Sequence, residues 1–353
     1  MICNIKPNPV PRREKRRLGL PGAGKWAKAP ALIGIPGKTR RDMAADLKRH
    51  KIGWIGTGRM GFPMAERLAK AGCDLTAFNR TRAKAEPLAK SGAKIAASPS
   101  DLASCDIVFT MVSTSDDLKE VTLSQGGVLS VGGKSPKILV DCSTVSEQAS
   151  AEVRAAASKR GTKMLAAPVS GNGKVVKVGK LTIVASGPKV AYDAARPYLD
   201  AMGKGSSYAG EGELARIVKI CHNVLLGVVI QNLVEITVLA EKSGVKRHAF
   251  LDFINKSVMG SLFTAYKTPA LVNLDMTPTF TPVLLKKDLD LGLEAARKTG
   301  TSMPITAATR ELVQNLIGLG YADKDFATLI FQQAKNSGLD LKPENVEVPD
   351  GLH

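Results

Sequence analysis

Arg216, Lys219, His222 and Asn223 lie in one run, Arg216-Ile-Val-Lys-Ile-Cys-His-Asn223, and their types and spacing suit the movement of a proton. At 3.6 residues per turn Arg216, Lys219 and Asn223 share one helix face, with His222 beside them. A lysine acts as acid or base when burial and a neighbouring cation bring its pKa towards neutrality, and Arg216, one turn earlier, is such a cation. Arginine cannot take that part itself, because its pKa stays above roughly 12. A proton passed to or from oxygen is what interconversion of an alcohol and a carbonyl requires when hydride moves at the same carbon. The competing structural reading makes Lys219 an interdomain salt-bridge partner. His222, taken alone, reads as a structural hydrogen-bonder.

Two further segments offer groups for a substrate. Ala167-Pro-Val-Ser-Gly-Asn-Gly173 presents the Ser170 hydroxyl and the backbone N–H groups after it, a concavity suited to an anion. Asp141-Cys-Ser-Thr144 ends an apolar run, the position where ligands gather in open α/β sheets.

A hydride carrier is implied by Gly56-Thr57-Gly58-Arg59-Met60-Gly61, which follows the apolar run Ile52, Trp54, Ile55 and opens a helical pattern (Met64, Leu68, Ala71). Strand, glycine turn and helix in this order suit a dinucleotide's pyrophosphate. Gly56 permits the turn, Gly58 allows close approach of backbone to phosphate, and Gly61 lets helix and strand pack closely. The helix N-terminus adds free N–H groups and a positive dipole end. About twenty residues on, where an acid would bind the ribose 2′-hydroxyl of NAD, stands Asn79-Arg80-Thr81-Arg82. An arginine fork and a hydroxyl suit a 2′-phosphate, so NADP is expected over NAD, although Arg80 and Arg82 can also be read as solvated.

The elements that must position these groups divide the chain. Over residues 51–211 short apolar runs (74–78, 106–112, 137–141, 163–167, 180–185) alternate with helical patterns, which predicts a mainly parallel sheet covered by helices, an α/β Rossmann-type domain. From residue 212 to about 340 the pattern is all-helical. A helix over about Glu213–Ser243 joins the domains, and others start near Lys246, Pro282, Pro304 and Asp325. Residues 341–353 read as a short polar tail.

Composition narrows the class. Hydrophobic residues make up 44% and charged residues 23%, ordinary for a globular enzyme. The longest apolar run, Val224–Ile230, falls short of the roughly twenty residues that span a bilayer, so no membrane role is expected. Five cysteines without CxxC spacing argue against zinc and a disulfide framework and for a reducing compartment. The net charge of +18 suggests nucleic acid until its distribution is considered: residues 1–50 hold 13 Lys or Arg against 3 acids. This Pro/Gly-rich leader is expected to be disordered. It can be a transit peptide over residues 1–42, a basic arm for an acidic partner, or an upstream extension with Met43 as the working start; the last is the expectation, with a cytoplasmic location.

Five segments in order resemble the β-hydroxyacid dehydrogenase family, which includes 3-hydroxyisobutyrate dehydrogenase and, more distantly, 6-phosphogluconate dehydrogenase. They are Gly56-x-Gly58-x-Met60-Gly61-x-Pro63-Met64-Ala65, Asp141-x-Ser-Thr144, Pro168-Val-Ser-Gly171, Lys219-x-x-His222-Asn223 and Lys287-Asp-Leu289, spread over Lys51 to Asn336. The resemblance implies that Lys219 is the catalytic acid/base and that Asn223 hydrogen-bonds the substrate. It implies that Ser143, Ser170 and Gly171 hold the substrate carboxylate. Thr144 and Met111-Val112-Ser113 would line the nicotinamide side, and Lys287 would close over the cofactor. The chain departs from the family in three places. Counting the usual spacing from Gly210-x-Gly212 puts Arg216 in the lysine slot; Ala166 and Asn172 replace the usual Asp and Gly; and Val175-Val176 replaces a Gly-Ala pair, which would reshape the pocket.

The expected function is an NADP-dependent oxidoreductase acting on a small 3-hydroxy acid or its semialdehyde, a small-molecule carboxylate. A catalytically silent binding module of the same fold and an imine reductase are the alternatives, both disfavoured by Lys219. Apolar residues on the long helix (Ile217, Ile220, Val224, Leu225, Val228) predict a homodimer or homotetramer.

Overall fold

The computed structural model describes residues 46–352. The leader expected over residues 1–50 therefore lies outside the described residues, Met43 included, except for its end, which is packed. Leu47 lies against the first core, and His50 Nδ1 is 3.0 Å from the Tyr198 hydroxyl, which donates to the Asp46 carbonyl.

The first domain runs β1 (Lys51–Ile55), α1 (Gly61–Lys70), β2 (Asp74–Phe78), β3 (Lys94–Ile95), β4 (Ile107–Thr110), α2 (Ser115–Leu123), β5 (Ile138–Asp141), α3 (Glu147–Lys159), β6 (Lys163–Ala166), β7 (Val169–Ser170), α4 (Gly173–Lys177), β8 (Thr182–Ser186), α5 (Lys189–Ala201) and β9 (Gly205–Gly210). Its sheet has the order β3-β2-β1-β4-β5-β6-β8-β7, with β9 on β8. The strands from β3 to β6 are parallel; β8 runs antiparallel to β6 and β7. β1 is central, so Ile52, Trp54 and Ile55 are all buried, and Trp54 stacks on Phe109 of β4. A strand covered on both faces reads as an unbroken apolar run, as these do. The side chains of Thr114 and Ser146 cap α2 and α3, accepting from the backbone N–H groups of Asp117 and Ala149.

The second domain is helical: α6 (Leu214–Lys242), α7 (Arg247–Lys256), α8 (Leu262–Asn273), α9 (Pro282–Thr299), α10 (Pro304–Leu316) and α11 (Leu329–Asn336). Proline in the first turn of α9 and α10 gives up an N–H that has no intrahelical acceptor there. Val224, Ile230, Leu285, Leu289, Val313 and Phe326 are among its buried core. Where α6 crosses α9, a Cβ on Gly292 would stand 2.3 Å from Val224 Cγ2, and one on Gly227 would stand 3.0 Å from Leu289 Cδ2. The two glycines therefore let the backbones approach.

The structure refines three sequence expectations. The stripe on α6 is not all free surface: Val224 is buried, Ile220 packs on the core, and Ile217 and Leu225 are exposed. By length and composition α6 is apolar enough to cross a membrane, which the short run Val224–Ile230 did not suggest, but about half of its apolar stretch is buried inside the protein, as in a core helix. The polar tail is docked rather than free. The Glu344 carboxylate accepts from the backbone N–H groups of Arg247 and His248, Asn273 pairs with the backbone of Val346, and Leu352 is buried.

Candidate active site at the domain junction

The turn after β1 has the shape a dinucleotide needs. Gly56 has φ +97°, and a Cβ there would stand 2.2 Å from the Met111 carbonyl oxygen, so only glycine fits. A Cβ on Gly61 would meet the Gly56 carbonyl at 2.0 Å, which brings α1 close to the strand. At Gly58 no atom of the described residues, its chain neighbours apart, lies within 4 Å of where a Cβ would be: that side is open, as close approach of a pyrophosphate requires. The Thr57 N–H donates to Asn79 Oδ1 at 2.8 Å, and Asn79 Nδ2 donates to the Thr81 carbonyl at 3.0 Å, tying the turn to the end of β2. Thr57 Oγ1 is buried with no hydrogen-bond partner among the described residues. An orphaned hydroxyl, an open glycine and a helix N-terminus together fit a bound phosphate ester. Arg59 is exposed, and Met60 precedes the first turn of α1. Arg80 is exposed at the rim, with Nη1 3.2 Å from Asp117 Oδ1 and 3.6 Å from Glu120 Oε2.

Beside this turn, two loops are held together by buried hydrogen bonds. The Val112 N–H donates to Ser143 Oγ at 2.9 Å, fixing Met111-Val112-Ser113 against the end of β5. Asp141, fully buried, accepts from Thr110 Oγ1 at 2.7 Å and from the Ser143 N–H at 3.1 Å. Arg216 reaches in from α6: Nη2 donates to Asp141 Oδ2 at 2.5 Å, Nη1 to the Ser143 carbonyl at 3.0 Å, and Nε to Glu213 at 3.1 Å. Ser143, expected to hold the substrate carboxylate, is instead fully buried with its Oγ taken up by the Val112 N–H, so it positions that loop rather than meeting substrate; Thr144 is partly exposed. Arg216 is thus committed to fastening α6 to the sheet.

One turn further along α6 the chemistry opens up. The Lys219 ammonium has no hydrogen bond or ion pair among the described residues. Burial pulls its pKa down to about 8; Asp288 opposes the shift and Lys287 adds to it. His222 Nε2 lies 2.8 Å from Ser170 Oγ, across the junction, and His222 Nδ1 lies 3.0 Å from Asn223 Oδ1. Asn223 Nδ2 donates to Asp288 Oδ2 at 2.6 Å, and Lys287 Nζ is 3.3 Å from Asp288 Oδ1. Burial and the Lys219 charge hold the His222 pKa below its ordinary value. Ser170 is partly exposed at the end of β7, and Gly171, with φ +137°, turns the chain after it.

The structure thus brings Lys219, Asn223 and Ser170 into one neighbourhood, and Met111–Ser113, Ser143 and Gly56 into another, joined through α6. Lys287 sits beside the first group, paired with Asp288. Sequence reasoning did not find Asp288 or the role of Asp141; only the neighbouring Lys287 in Lys287-Asp-Leu289 pointed to the first. Val175 and Val176, expected to reshape the pocket, lie in the short helix α4 with both side chains buried, Val176 in the Rossmann core and Val175 against Gly171, where a Cβ would stand 2.8 Å from Val175 Cγ1.

Comparison with known proteins bears on the family and the fold. Residues 51–219 match the NAD binding domain of 6-phosphogluconate dehydrogenase, and residues 213–332 match the NAD-binding region of NADP-dependent 3-hydroxyisobutyrate dehydrogenase. The chain is 34% identical over 281 residues to glyoxylate/succinic semialdehyde reductase 2, chloroplastic, of Arabidopsis thaliana, covering 79% of this chain and 78% of that protein. It is 31% identical to an NAD-dependent L-serine dehydrogenase of Pseudomonas aeruginosa, covering 79% and 96% respectively. Among solved structures, 3-hydroxyisobutyrate dehydrogenase of Salmonella typhimurium superposes with a TM-score of 0.71 at 25% identity, over 80% of this chain and 99% of that one.

Proposed function

The chain belongs to the β-hydroxyacid dehydrogenase family and is an oxidoreductase with a nicotinamide dinucleotide-binding domain; from that premise we infer that it interconverts a small 3-hydroxy acid and its semialdehyde, with NADP preferred. The observation that carries the reading is Lys219, an uncommitted ammonium with a pKa of about 8, set one helical turn from the residues that lock the loop Met111–Ser113.

A bound nicotinamide supplies or accepts the hydride. The chain's own residues do the rest. Ser170 Oγ and the backbone after Gly171 receive the substrate carboxylate. Asn223, held by Asp288, orients the substrate oxygen towards Lys219. In reduction the Lys219 ammonium gives its proton to the carbonyl oxygen; in oxidation the neutral amine takes the proton from the hydroxyl. Ser143 fixes Val112, and Met111–Ser113 with Thr144 would line the nicotinamide side of the site. Lys287 would close over the cofactor from α9, and Arg80 with Thr81 would hold the 2′-phosphate of NADP. Holding the reactants together in this geometry provides much of the acceleration. Exposed apolar side chains of the helical domain, Leu225, Phe253, Val258 and Met259, favour assembly into a homodimer or homotetramer.

The test is oxidation of NADPH and NADH against a panel of small aldehyde and keto acids, with Lys219→Ala in parallel. Semialdehyde reduction that Lys219→Ala abolishes supports the reading. Wild-type turnover in the variant overturns it.

A further inference from the structure

The contact between His222 and Ser170 has a direction that its neighbours fix. Asp288 is a carboxylate beside an ammonium and can only accept hydrogen bonds, so the group that Asn223 turns towards it at 2.6 Å must be the amide nitrogen. The amide oxygen then faces His222 Nδ1 at 3.0 Å, and that nitrogen must carry the proton. A neutral imidazole protonated at Nδ1 has its lone pair on Nε2, which therefore accepts the Ser170 hydroxyl proton at 2.8 Å. In this state Ser170 Oγ turns lone pairs, not a proton, towards the junction.

A carboxylate brought to Ser170 meets repulsion from that oxygen unless the hydroxyl is turned round. Protonating His222 at Nε2 achieves this, because both ring nitrogens then donate, Ser170 Oγ accepts, and its O–H is free for the carboxylate. We propose that His222 is a specificity-determining residue that makes the Ser170 subsite proton-coupled, so that an anionic substrate enters together with one proton taken up by the imidazole. The proposal rests on the reading of Ser170 as the carboxylate subsite. The balance is simple: one proton moves from solvent to Nε2, the Oγ–H···Nε2 bond is exchanged for Nε2–H···Oγ, and Oγ–H···carboxylate forms. No covalent bond to carbon changes.

The groups facing His222 agree with a neutral free state. Lys219, on its own helix, repels a second positive charge; Asp288 on α9 favours one but is shared with Asn223 and Lys287; and from the Rossmann domain it meets the Ser170 hydroxyl. An incoming carboxylate adds the negative charge that tips this balance. Lys219 titrates in a separate window, about pH 8.

The experiment is calorimetry of the enzyme saturated with NADPH, titrated with 3-hydroxypropionate, a dead-end complex in which nothing can react. It is run at pH 7 in two buffers of different ionisation enthalpy. Wild type is expected to take up about one proton per site, and His222→Gln, whose amide nitrogen falls where Nε2 lies and can donate to Ser170 at any pH, about none while still binding. Nitrogen NMR of the wild-type imidazole is expected to show the Nδ1–H tautomer in the free enzyme and the doubly protonated ring in the complex. Undiminished uptake in His222→Gln, or a ring that stays neutral in the complex, overturns the proposal. Affinity unchanged in Ser170→Ala instead overturns the carboxylate subsite itself, so the two failures are distinguishable.

Discussion

Arg216 and Asp141, 75 positions apart in sequence, meet at 2.5 Å with both side chains buried. The pair joins the first turn of the interdomain helix to the end of β5. Breaking it by Arg216→Met leaves Asp141 charged and buried with only Thr110 and the Ser143 N–H as donors. The expected loss is about 3–5 kcal/mol, read from urea unfolding. Arg216→Lys is expected not to restore it, because one ammonium cannot reproduce the fork that also holds the Ser143 carbonyl. Stability within about 0.5 kcal/mol of wild type for Arg216→Met contradicts the assignment.

Lys219→Ala is expected to lower turnover by roughly a hundredfold or more, with dinucleotide affinity held within about twofold. The sign of the pH dependence follows from a lysine pKa of about 8. Reduction needs the ammonium, so its rate falls as pH rises through about 8; oxidation needs the amine, so its rate rises through the same region. Profiles measured in both directions with the same slope would remove Lys219 from the proton step. Folding lowers this pKa from 10.5, so the unfolded chain binds the extra proton, and the stability contribution rises with pH between about 8 and 10.5.

The glycines of the first turn are expected to separate folding from binding. Gly56→Ala forces a side chain onto the Met111 carbonyl at a positive φ and should lower the melting temperature markedly. Gly58→Ala has free space and should leave that temperature within a few degrees, yet weaken dinucleotide binding by roughly tenfold or more, the worth of about 1.4 kcal/mol or more. Fluorescence titration with NADPH and thermal melts decide the matter; equal effects at both positions would go against it.

Arg80→Ala is expected to raise the Michaelis constant for NADP by roughly tenfold, in line with the loss of one charge-assisted hydrogen bond to a phosphate, and to leave NAD unaffected. Asp117→Asn, which releases Arg80 from its partner at 3.2 Å, should shift preference further towards NADP. Parallel changes for both cofactors would show that Arg80 only meets solvent.

What the sequence revealed depended on how local the cause was. β2 is found as read, Asp74–Phe78, and α9 and α10 begin at the prolines that announce them. The interdomain helix differs from its reading by one residue at each end. β9, Gly205–Gly210, was missed because its half-buried Gly, Ser and Tyr carry no alternating pattern, and α8 because Pro269 lies inside it and its Ser261 cap pairs with Thr264 instead of Glu or Gln. At the site, residues on one helix face or in one loop were legible. Pairs made across the fold, Arg216 with Asp141, Ser170 with His222 and Asn223 with Asp288, were not, since nothing local marks them.

The glycine crossing of α6 and α9 has a mechanical consequence. With Gly227 and Gly292 letting the two backbones approach, Lys219 and Lys287 are carried by two helices packed directly on each other, so a side chain larger than hydrogen at either glycine would alter the spacing of the two ammonium groups. On the sheet side the ties to that pair of helices are of two kinds: a solvent-accessible bond, Ser170–His222, and a buried one, Arg216–Asp141.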